Sequence, residues 1–178
     1  MHVEHERIAQ DVREKLVQML PRLRKFAIGL VGNLDDADDL VQAACERALS
    51  RIDQWQPGTR LDSWMYRIIQ NLWIDRGRSH RLRGDPVDPE QMPEVADQTA
   101  HRVAEAGSTL ARVLHLLGEL PPEQREVLLL VGVAEHSYRE AAEQLGIPMG
   151  TVMSRLARAR LRLHELMESG PAAPETGG

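Results

Sequence analysis

Apolar residues recur every three or four positions along most of the chain, which is the period of amphipathic helices. Residues 6–30 carry one such stripe. Pro21 should kink or split this helix, because proline removes a backbone hydrogen bond. A second helix is predicted from the stripe that contains Ala37, Leu40, Val41, Ala44, Ala48 and Ile52. Asp35 or Asp36 is its expected N-cap.

A third amphipathic helix follows the loop at 54–59, where Pro57 and Gly58 break the pattern. Asp62 or Ser63 can cap it. Its core side contains Leu61, Trp64, Met65, Ile68, Ile69 and Leu72, and its opposite side contains Tyr66, Arg67, Gln70, Trp73 and Ile74. The helix runs into a basic segment, 76–83, that has four arginines and no acid.

Apolar periodicity fades over residues 84–107, where prolines alternate with acids in the manner of a solvated linker. Four helical segments follow, at 108–118, 122–134, 137–145 and 148–168, and the Pro- and Gly-rich tail at 169–178 should be disordered. We therefore expect an all-α protein with two small helical domains, 1–83 and 108–168, joined by a Pro-rich acidic linker at 84–107.

Composition and charge add detail to the predicted two-domain organisation and do not change it. The 178 residues carry 22 basic and 27 acidic side chains, for a net charge of −5, which argues against a uniformly basic nucleic-acid binder. The charge is segregated, however, because 76–83 and 148–164 each hold four arginines and no acid. The single cysteine, Cys45, excludes an internal disulfide framework and favours a reducing compartment. No apolar run is long enough to span a bilayer, so membrane insertion is not expected.

Residues 137–152 have the layout of a helix-turn-helix. Ser137 and Glu140 form a capping box, and Ala142 is small where the two helices would touch. Gly146 can adopt the left-handed backbone of the tight turn. The alternative for this segment is an ordinary corner between two helices of a bundle.

The second helix of this motif separates an apolar stripe from a basic face. The stripe contains Met149, Val152, Leu156, Ala159 and Leu163, and the other side collects Thr151, Ser154, Arg155, Arg158 and Arg162. A solvated helix usually mixes charge signs, so an acid-free face favours a polyanion such as DNA. Arginines in a major groove can donate to guanine, while Ser and Thr serve bases or phosphates.

The outer side of the third helix has aromatic residues beside arginines, which suits stacking of unpaired bases. The plainer interpretation is that Trp73 packs under the N-terminal helix and the arginines are only solvated. Trp55, in the preceding loop, can likewise belong to the core or to a contact. His136, just before the capping Ser137, is expected to be a loop residue.

Three segments in order, 36–43, 64–76 and 120–160, resemble the extracytoplasmic-function (ECF) group of bacterial RNA polymerase sigma factors. The resemblance covers residues 16–166. It implies that the chain binds core RNA polymerase and promoter DNA in the cytoplasm and directs promoter-specific initiation, with stress or envelope-response genes as the expected targets. It also implies an anti-sigma partner, and no catalytic residue, cofactor or metal.

The resemblance further assigns residues to three surfaces. The residues assigned to core-polymerase binding are Asp38, Asp39, Leu40, Val41, Gln42 and Glu46. Because Leu40 and Val41 lie on the apolar stripe, the four polar residues of this set are the better candidates for outward contacts. Minus-ten recognition and melting fall to Trp55, Tyr66, Arg67, Gln70, Asn71, Trp73, Arg76 and Arg78. Minus-thirty-five recognition falls to Met149, Thr151, Ser154, Arg155, Arg158 and Arg162.

Two other classes of function compete with this one. A conventional helix-turn-helix repressor or activator would not need the aspartate-rich helix followed by an aromatic and basic helix. A helical adaptor that binds only proteins would explain neither basic face. An enzyme is not expected, because the sequence has no phosphate-binding glycine loop and no metal-ligand spacing.

Overall fold

The computed structural model describes residues 2–82 and 109–169, and the secondary structure of both ranges is helical. The predicted linker at 84–107 and the tail beyond residue 169 lie outside the described residues. The helices are α1 (His2–Val31), α2 (Leu34–Ser50), a 3₁₀ turn (Ile52–Gln54), α3 (Leu61–Leu82), α4 (Thr109–Gly118), α5 (Pro122–Gly132), α6 (Tyr138–Leu145) and α7 (Met149–Glu168).

The long first helix is continuous through Pro21, so of the predicted kink or split the split is wrong. Proline removes only the bond that its nitrogen would donate to the carbonyl of Val17. Val17 and Pro21 are both exposed, so water can satisfy that carbonyl. The helix ends instead at Gly32, whose φ of 84° is left-handed and whose N–H donates to the carbonyl of Ile28 at 2.8 Å.

The N-cap of α2 is Asn33 rather than Asp35 or Asp36. Its Oδ1 accepts from the backbone N–H of Asp36 at 2.8 Å, and its Nδ2 donates to the Asp36 carboxylate at 2.7 Å. The two aspartates therefore lie inside the first turn, where their negative charge favours the positive end of the helix dipole.

Helices α1, α2 and α3 form the N-terminal bundle. Its core is made by fully buried side chains that include Leu23, Phe26, Leu40, Met65 and Ile69. The predicted stripe of α2 is confirmed, since Leu40 and Val41 are both buried.

Helices α4 to α7 form the second bundle, in which α6 and α7 are the helix-turn-helix. Ser137 and Glu140 make the predicted capping box, with both reciprocal bonds present. Gly146 has the predicted left-handed backbone, at φ 65° and ψ 34°. Val152, Leu156 and Ala159 of α7 are buried, as the stripe predicts.

The two bundles pack against each other through α1 and α5. Gly29 lies in α1 where it faces Leu129 of α5, and a Cβ added there would come within 2.4 Å of a Leu129 methyl carbon. The missing side chain therefore permits the close approach of the two helices.

Arg125 of α5 joins the bundles from inside their contact, with 5% of its surface exposed. Its guanidinium donates to the carbonyl of Leu30 near the end of α1, at 3.2 Å. It also donates to the carbonyls of Gly118, the last residue of α4, and of Leu120 just after it, at 3.3 and 3.2 Å. Burial lowers the pKa of Arg125 from its ordinary value, but a guanidinium stays charged. The cation is thus held by carbonyls at helix ends, where the helix dipole favours positive charge.

Candidate polymerase and nucleic-acid interfaces

An apolar groove of about 600 Å³ lies between α1 and α2. Its floor and walls include Leu16, Val17, Leu20, Val41, Cys45 and Leu49. Val17 is 66% exposed and Leu20 and Leu49 are also exposed, so apolar surface faces solvent in a contiguous strip. Such a strip is typical of a protein-docking surface.

Polar residues of α2 border this groove. Asp38, Asp39, Gln42 and Glu46 are exposed, whereas Leu40 and Val41 are buried beneath them. Arg24 of α1 forms a two-pronged ion pair with Asp38, at 2.6 and 2.9 Å, and lowers the pKa of that carboxyl. Of the α2 residues that the resemblance assigns to core polymerase, Asp38 and Gln42 therefore form part of the polar edge of the groove, and Val41 lines it.

Cys45 is half-buried in the same groove, and burial raises the pKa of its thiol. A raised thiol pKa reduces the thiolate fraction at neutral pH, so the residue contributes apolar surface rather than reactivity.

The outer face of α3 is only partly open to solvent. Arg67, Asn71 and Arg78 are exposed, and Trp73 and Arg76 are half-buried. Tyr66 and Gln70, by contrast, have only 1% and 4% of their surfaces exposed. The expectation that these two side chains point away from the protein is wrong, because the C-terminal bundle covers this part of α3.

Tyr66 is enclosed by aromatic rings from both bundles. Its ring centroid lies 4.9 Å from that of Phe26 in α1 and 5.6 Å, edge-on, from that of His136 in the loop before α6. Burial raises the pKa of its hydroxyl. His136 lies in the loop before α6, as predicted, and it is buried at the contact between the bundles.

Gln70 is enclosed by polar groups of the C-terminal bundle. Its Nε2 donates to the carboxylate of Glu126 in α5, and its Oε1 accepts from Nε2 of Gln144 in α6 at 2.8 Å. The Gln144 carbonyl in turn lies 3.0 Å from Nε2 of His136. Sequence reasoning missed Glu126 and Gln144, because no local pattern marks partners that lie 56 and 74 positions from Gln70.

Trp55, in the loop before α3, is 9% exposed and belongs to the N-terminal core. Its indole Nε1 has no hydrogen-bond partner among the described residues, and the Lys15 ammonium lies 6.0 Å from its ring centroid. In this arrangement the packing interpretation of Trp55 fits better than that of an exposed contact.

The outer face of α7 is open. Ser154, Arg158 and Arg162 are exposed, and Thr151 and Arg155 are half-buried. Met149 is 50% exposed, so its placement on the core stripe is wrong, although its position at the start of α7 agrees with its assignment to the DNA-facing set. The predicted separation of a buried stripe from an arginine-bearing face otherwise holds.

Neither a metal site nor a membrane span is seen in the part of the chain that the structure describes. No group of three or more His, Cys, Asp or Glu side chains there could hold a metal ion. None of the described helices is both long and apolar enough to cross a bilayer.

Two family profiles match the chain, one in each bundle. Sigma-70 region 2 matches residues 16–83, and Sigma-70 region 4 matches residues 110–163. The two bundles thus define a two-domain transcription initiation factor, which pairs a region that contains the α1–α2 groove and α3 with one that contains the helix-turn-helix.

Relatives narrow the class. The chain is 38% identical over 163 residues to the ECF RNA polymerase sigma factor EcfG of Rhodopseudomonas palustris, over 90% of this chain and 87% of the relative. It is 30% identical over 167 residues to the ECF RNA polymerase sigma factor SigW of Bacillus subtilis, over 89% and 86% of the two chains. The chain belongs to the ECF RNA polymerase sigma factors, and it directs promoter-specific transcription initiation with core RNA polymerase.

Solved structures share the fold. One is the sigma factor RpoE in complex with the anti-sigma factor NepR, from Bartonella quintana, with a TM-score of 0.73, 30% identity, and coverage of 91% of this chain and 99% of that one. Another is CnrH in complex with the cytosolic domain of CnrY, with a TM-score of 0.67, 25% identity, and coverage of 95% and 97%.

Proposed function

We propose that three surfaces divide the work of this sigma factor. The α1–α2 groove with its polar edge binds core polymerase, α3 and the basic segment after it read and hold the melted minus-ten strand, and α7 reads the minus-thirty-five element. The residues are those named for each surface above. The domain limits 1–83 and 108–168 belong to the same proposal, as does action in the cytoplasm, where core polymerase and promoters are found.

The observation that carries this proposal is the pairing of an exposed apolar groove with an exposed arginine face on separate bundles. The groove offers apolar area for a protein partner. Arg158 and Arg162 lie on the face of α7 opposite its buried stripe, in the position that a recognition helix presents to a major groove. A non-enzymatic role follows, since stabilising an opened promoter requires binding and no covalent step.

An anti-sigma partner and a role in stress or envelope responses are also proposed. Of the two structural neighbours named above, one was solved with the anti-sigma factor NepR and the other with the cytosolic domain of CnrY. A regulator of this chain would compete with polymerase for the α1–α2 groove, since that groove presents exposed apolar side chains to a protein partner.

The DNA role is tested with two arginines of α7. Transcript starts mapped after induced expression give the bipartite promoter, and run-off transcription with core enzyme is then measured on it. Arg158→Ala should reduce promoter-directed transcript about tenfold or more, since loss of one good base contact weakens binding by about 1–3 kcal/mol. Arg160→Ala is the matched control, because Arg160 is also exposed on α7 but lies on another edge. Equal activity of the two variants would contradict the assignment of this face.

The polymerase role is tested with two neighbours on α1. Val17→Glu places a charge in the apolar groove and should weaken core binding, because a carboxylate must be desolvated when the groove is covered. Gln18→Glu adds the same charge outside the groove and serves as the control. Co-purification with core enzyme measures both, and core binding by Val17→Glu equal to that of the control would contradict the proposal. High-affinity operator binding without core, and no transcript with it, would instead support a conventional repressor or activator.

A further inference from the structure

The exposed side of α7 changes character along the helix. From Arg158 onward its exposed side chains are mostly charged. Before Arg158 the exposed residues are apolar or small: Met149, Gly150, Met153, Ser154 and Ala157. Met149 and Met153 have 50% and 49% of their surfaces exposed. Two large apolar side chains are thus presented to solvent directly after the turn of the helix-turn-helix.

Met149, Met153 and Ala157 form one apolar strip on this surface. They are spaced four residues apart, and residues at that spacing share a face of a helix. The strip lies beside the buried stripe of α7 and not within it, because all three of its residues are exposed. The core of the C-terminal bundle therefore does not account for these side chains.

The hydrogen-bonding groups beside the strip are largely engaged within the chain. The Ser154 hydroxyl donates to the carbonyl of Thr151 at 3.1 Å, so its proton is already used inside the helix. Arg155 is half-buried, and its charge lowers the pKa of the Glu126 carboxyl in α5. Apolar contact is therefore the chemistry that the first two turns of α7 offer to a partner.

The position of the strip identifies the group that it would contact. In a helix-turn-helix, the N-terminal residues of the second helix meet base edges in the major groove. The apolar group on those edges is the C5 methyl of thymine. We infer that Met153, with Met149 and Ala157 beside it, packs against a thymine methyl of the minus-thirty-five element and selects thymine at that position. The inference rests on the proposed role of α7 and adds Met153 as a specificity residue.

Charge complementarity favours DNA over a protein as the partner of the strip. Residues 148–164 carry four arginines and no acid, so the apolar strip lies in a positively charged surface that a polyanion neutralises. Gly150 adds room, since a Cβ there would meet nothing within 4 Å and packing inside the bundle does not require glycine. Its missing side chain leaves the helix backbone open to close approach. The flexible methionine side chain can adapt its shape to a methyl group.

Removal of a single methyl group tests the contact. Deoxyuridine pairs with adenine as thymine does and lacks only the C5 methyl, so the hydrogen-bonding groups of the base edge are unchanged. Each thymine on either strand of the mapped minus-thirty-five element is replaced in turn, and a thymine between the two promoter elements serves as the DNA control. Competition binding by holoenzyme, reconstituted from core polymerase and the full-length chain, compares the duplexes.

Wild-type holoenzyme should bind about fourfold less tightly when the contacted thymine is replaced, which is the loss expected for one buried methyl group. Met153→Ala should bind the thymine promoter more weakly than wild type by at least the same factor, and should no longer distinguish the two bases at that position. Met153→Leu keeps an apolar contact and should keep the preference. Met167→Ala is the matched control, because Met167 is 57% exposed near the other end of α7, and it should behave as wild type.

Equal binding of all the thymine and deoxyuridine promoters by wild type would overturn the inference, as would a minus-thirty-five element without an A·T pair. An undiminished thymine preference in Met153→Ala would also overturn it, and weaker binding of core enzyme by that variant would then assign the strip to a protein partner.

Replacement of the whole minus-thirty-five element by unrelated sequence separates these failures from failure of the proposed function. If that replacement lowers transcription by wild type, α7 keeps its assigned element and only the thymine contact is rejected. If transcription is unchanged, the assignment of α7 to this element fails, and the inference fails with it.

Discussion

The two helices assigned to promoter DNA differ in access. On α7 the arginine-bearing face is open, with Arg158 and Arg162 exposed above a buried stripe. On α3 the equivalent face is divided, because Arg67 is exposed while Tyr66 and Gln70 lie under the other bundle. The face of α7 is therefore available in the free chain, whereas access to the face of α3 depends on the relative position of the bundles. Helix patterning alone does not distinguish the two cases.

The largest change in this difference in access is expected when the C-terminal bundle, which covers α3, is destabilised. Leu156 of α7 is 2% exposed, and Leu156→Ala should lower the free energy of unfolding of the C-terminal bundle by about 2–5 kcal/mol through lost burial and a cavity. The exchange of backbone amide hydrogens should then become faster across α6 and α7, and Tyr66 and Gln70 on α3 should become exposed. Leu161→Ala is the control, because Leu161 is 59% exposed on the same helix, and an equal loss of stability would contradict the assigned core.

A smaller effect is expected from Arg125→Met, which keeps much of the apolar volume but removes the three carbonyl bonds. Because those carbonyls lose their partner inside the contact, we expect a loss of about 1–3 kcal/mol in the free energy of unfolding. Urea unfolding measures the loss, and interdomain energy transfer reports opening. A variant as stable and as closed as wild type would show that the cation contributes nothing to the contact.

Glu126 should make the contact between the two bundles depend on pH. Burial raises the pKa of its carboxyl, while the bond from Gln70 and the charge of Arg155 lower it and the charge of Glu123 raises it. The Glu126 carboxyl therefore binds its proton more tightly when the two bundles are in contact (the closed chain) than when they are apart (the open chain). The contact should strengthen as pH falls from neutral towards the ordinary glutamate pKa of about 4.3.

Glu140 acts with the opposite sign. Hydrogen bonds from Ser137 lower its pKa within its own bundle, and Arg60 lowers it further across the contact, so only the part due to Arg60 changes when the bundles separate. The pKa of Asp62 is lowered chiefly by Arg60 of the same bundle. Their contribution is lost only as pH falls below ordinary carboxyl values. Glu126→Gln should therefore close more tightly at neutral pH and flatten the dependence above about pH 5. Interdomain energy transfer across a pH series measures this, and an unchanged slope would contradict the role of Glu126.

The smallest effect is expected at the rim. Arg22 and Glu135 are 45% and 74% exposed, and Arg22→Ala should change the free energy of closure by at most about 1 kcal/mol, because exposed ion pairs are screened by solvent. The same change in high salt should be smaller still. A larger loss would indicate that the rim, rather than the packed centre, holds the bundles together.

Local features could be predicted from the sequence. The capping box of Ser137 and Glu140, the left-handed Gly146 and the buried positions of Leu40 and Val41 each depend on residues within a turn or two. The predicted N-cap of α2 is wrong by two or three residues, because Asn33 and the aspartates at 35 and 36 are all suitable caps at the same helix end. The exposed face of α7 that carries Arg158 and Arg162 follows from the same local periodicity.

Features that depend on distant partners could not be predicted from the sequence. Tyr66 and Gln70 were assigned to an outer face because the pattern of α3 cannot show that His136, Glu126 and Gln144 cover it. Likewise Gly29 is unremarkable within α1 until Leu129 is placed against it. These are properties of the contact between two bundles, which the helical period does not encode.

The central claim is tested most directly by the distance between the bundles. Dyes are placed on exposed positions with Ser50→Cys and Ser169→Cys in a Cys45→Ala background, and single-molecule energy transfer is recorded with and without core polymerase. We predict one closed population in the free chain and a second, more separated population when core enzyme is added. The same distance in both conditions would contradict the account.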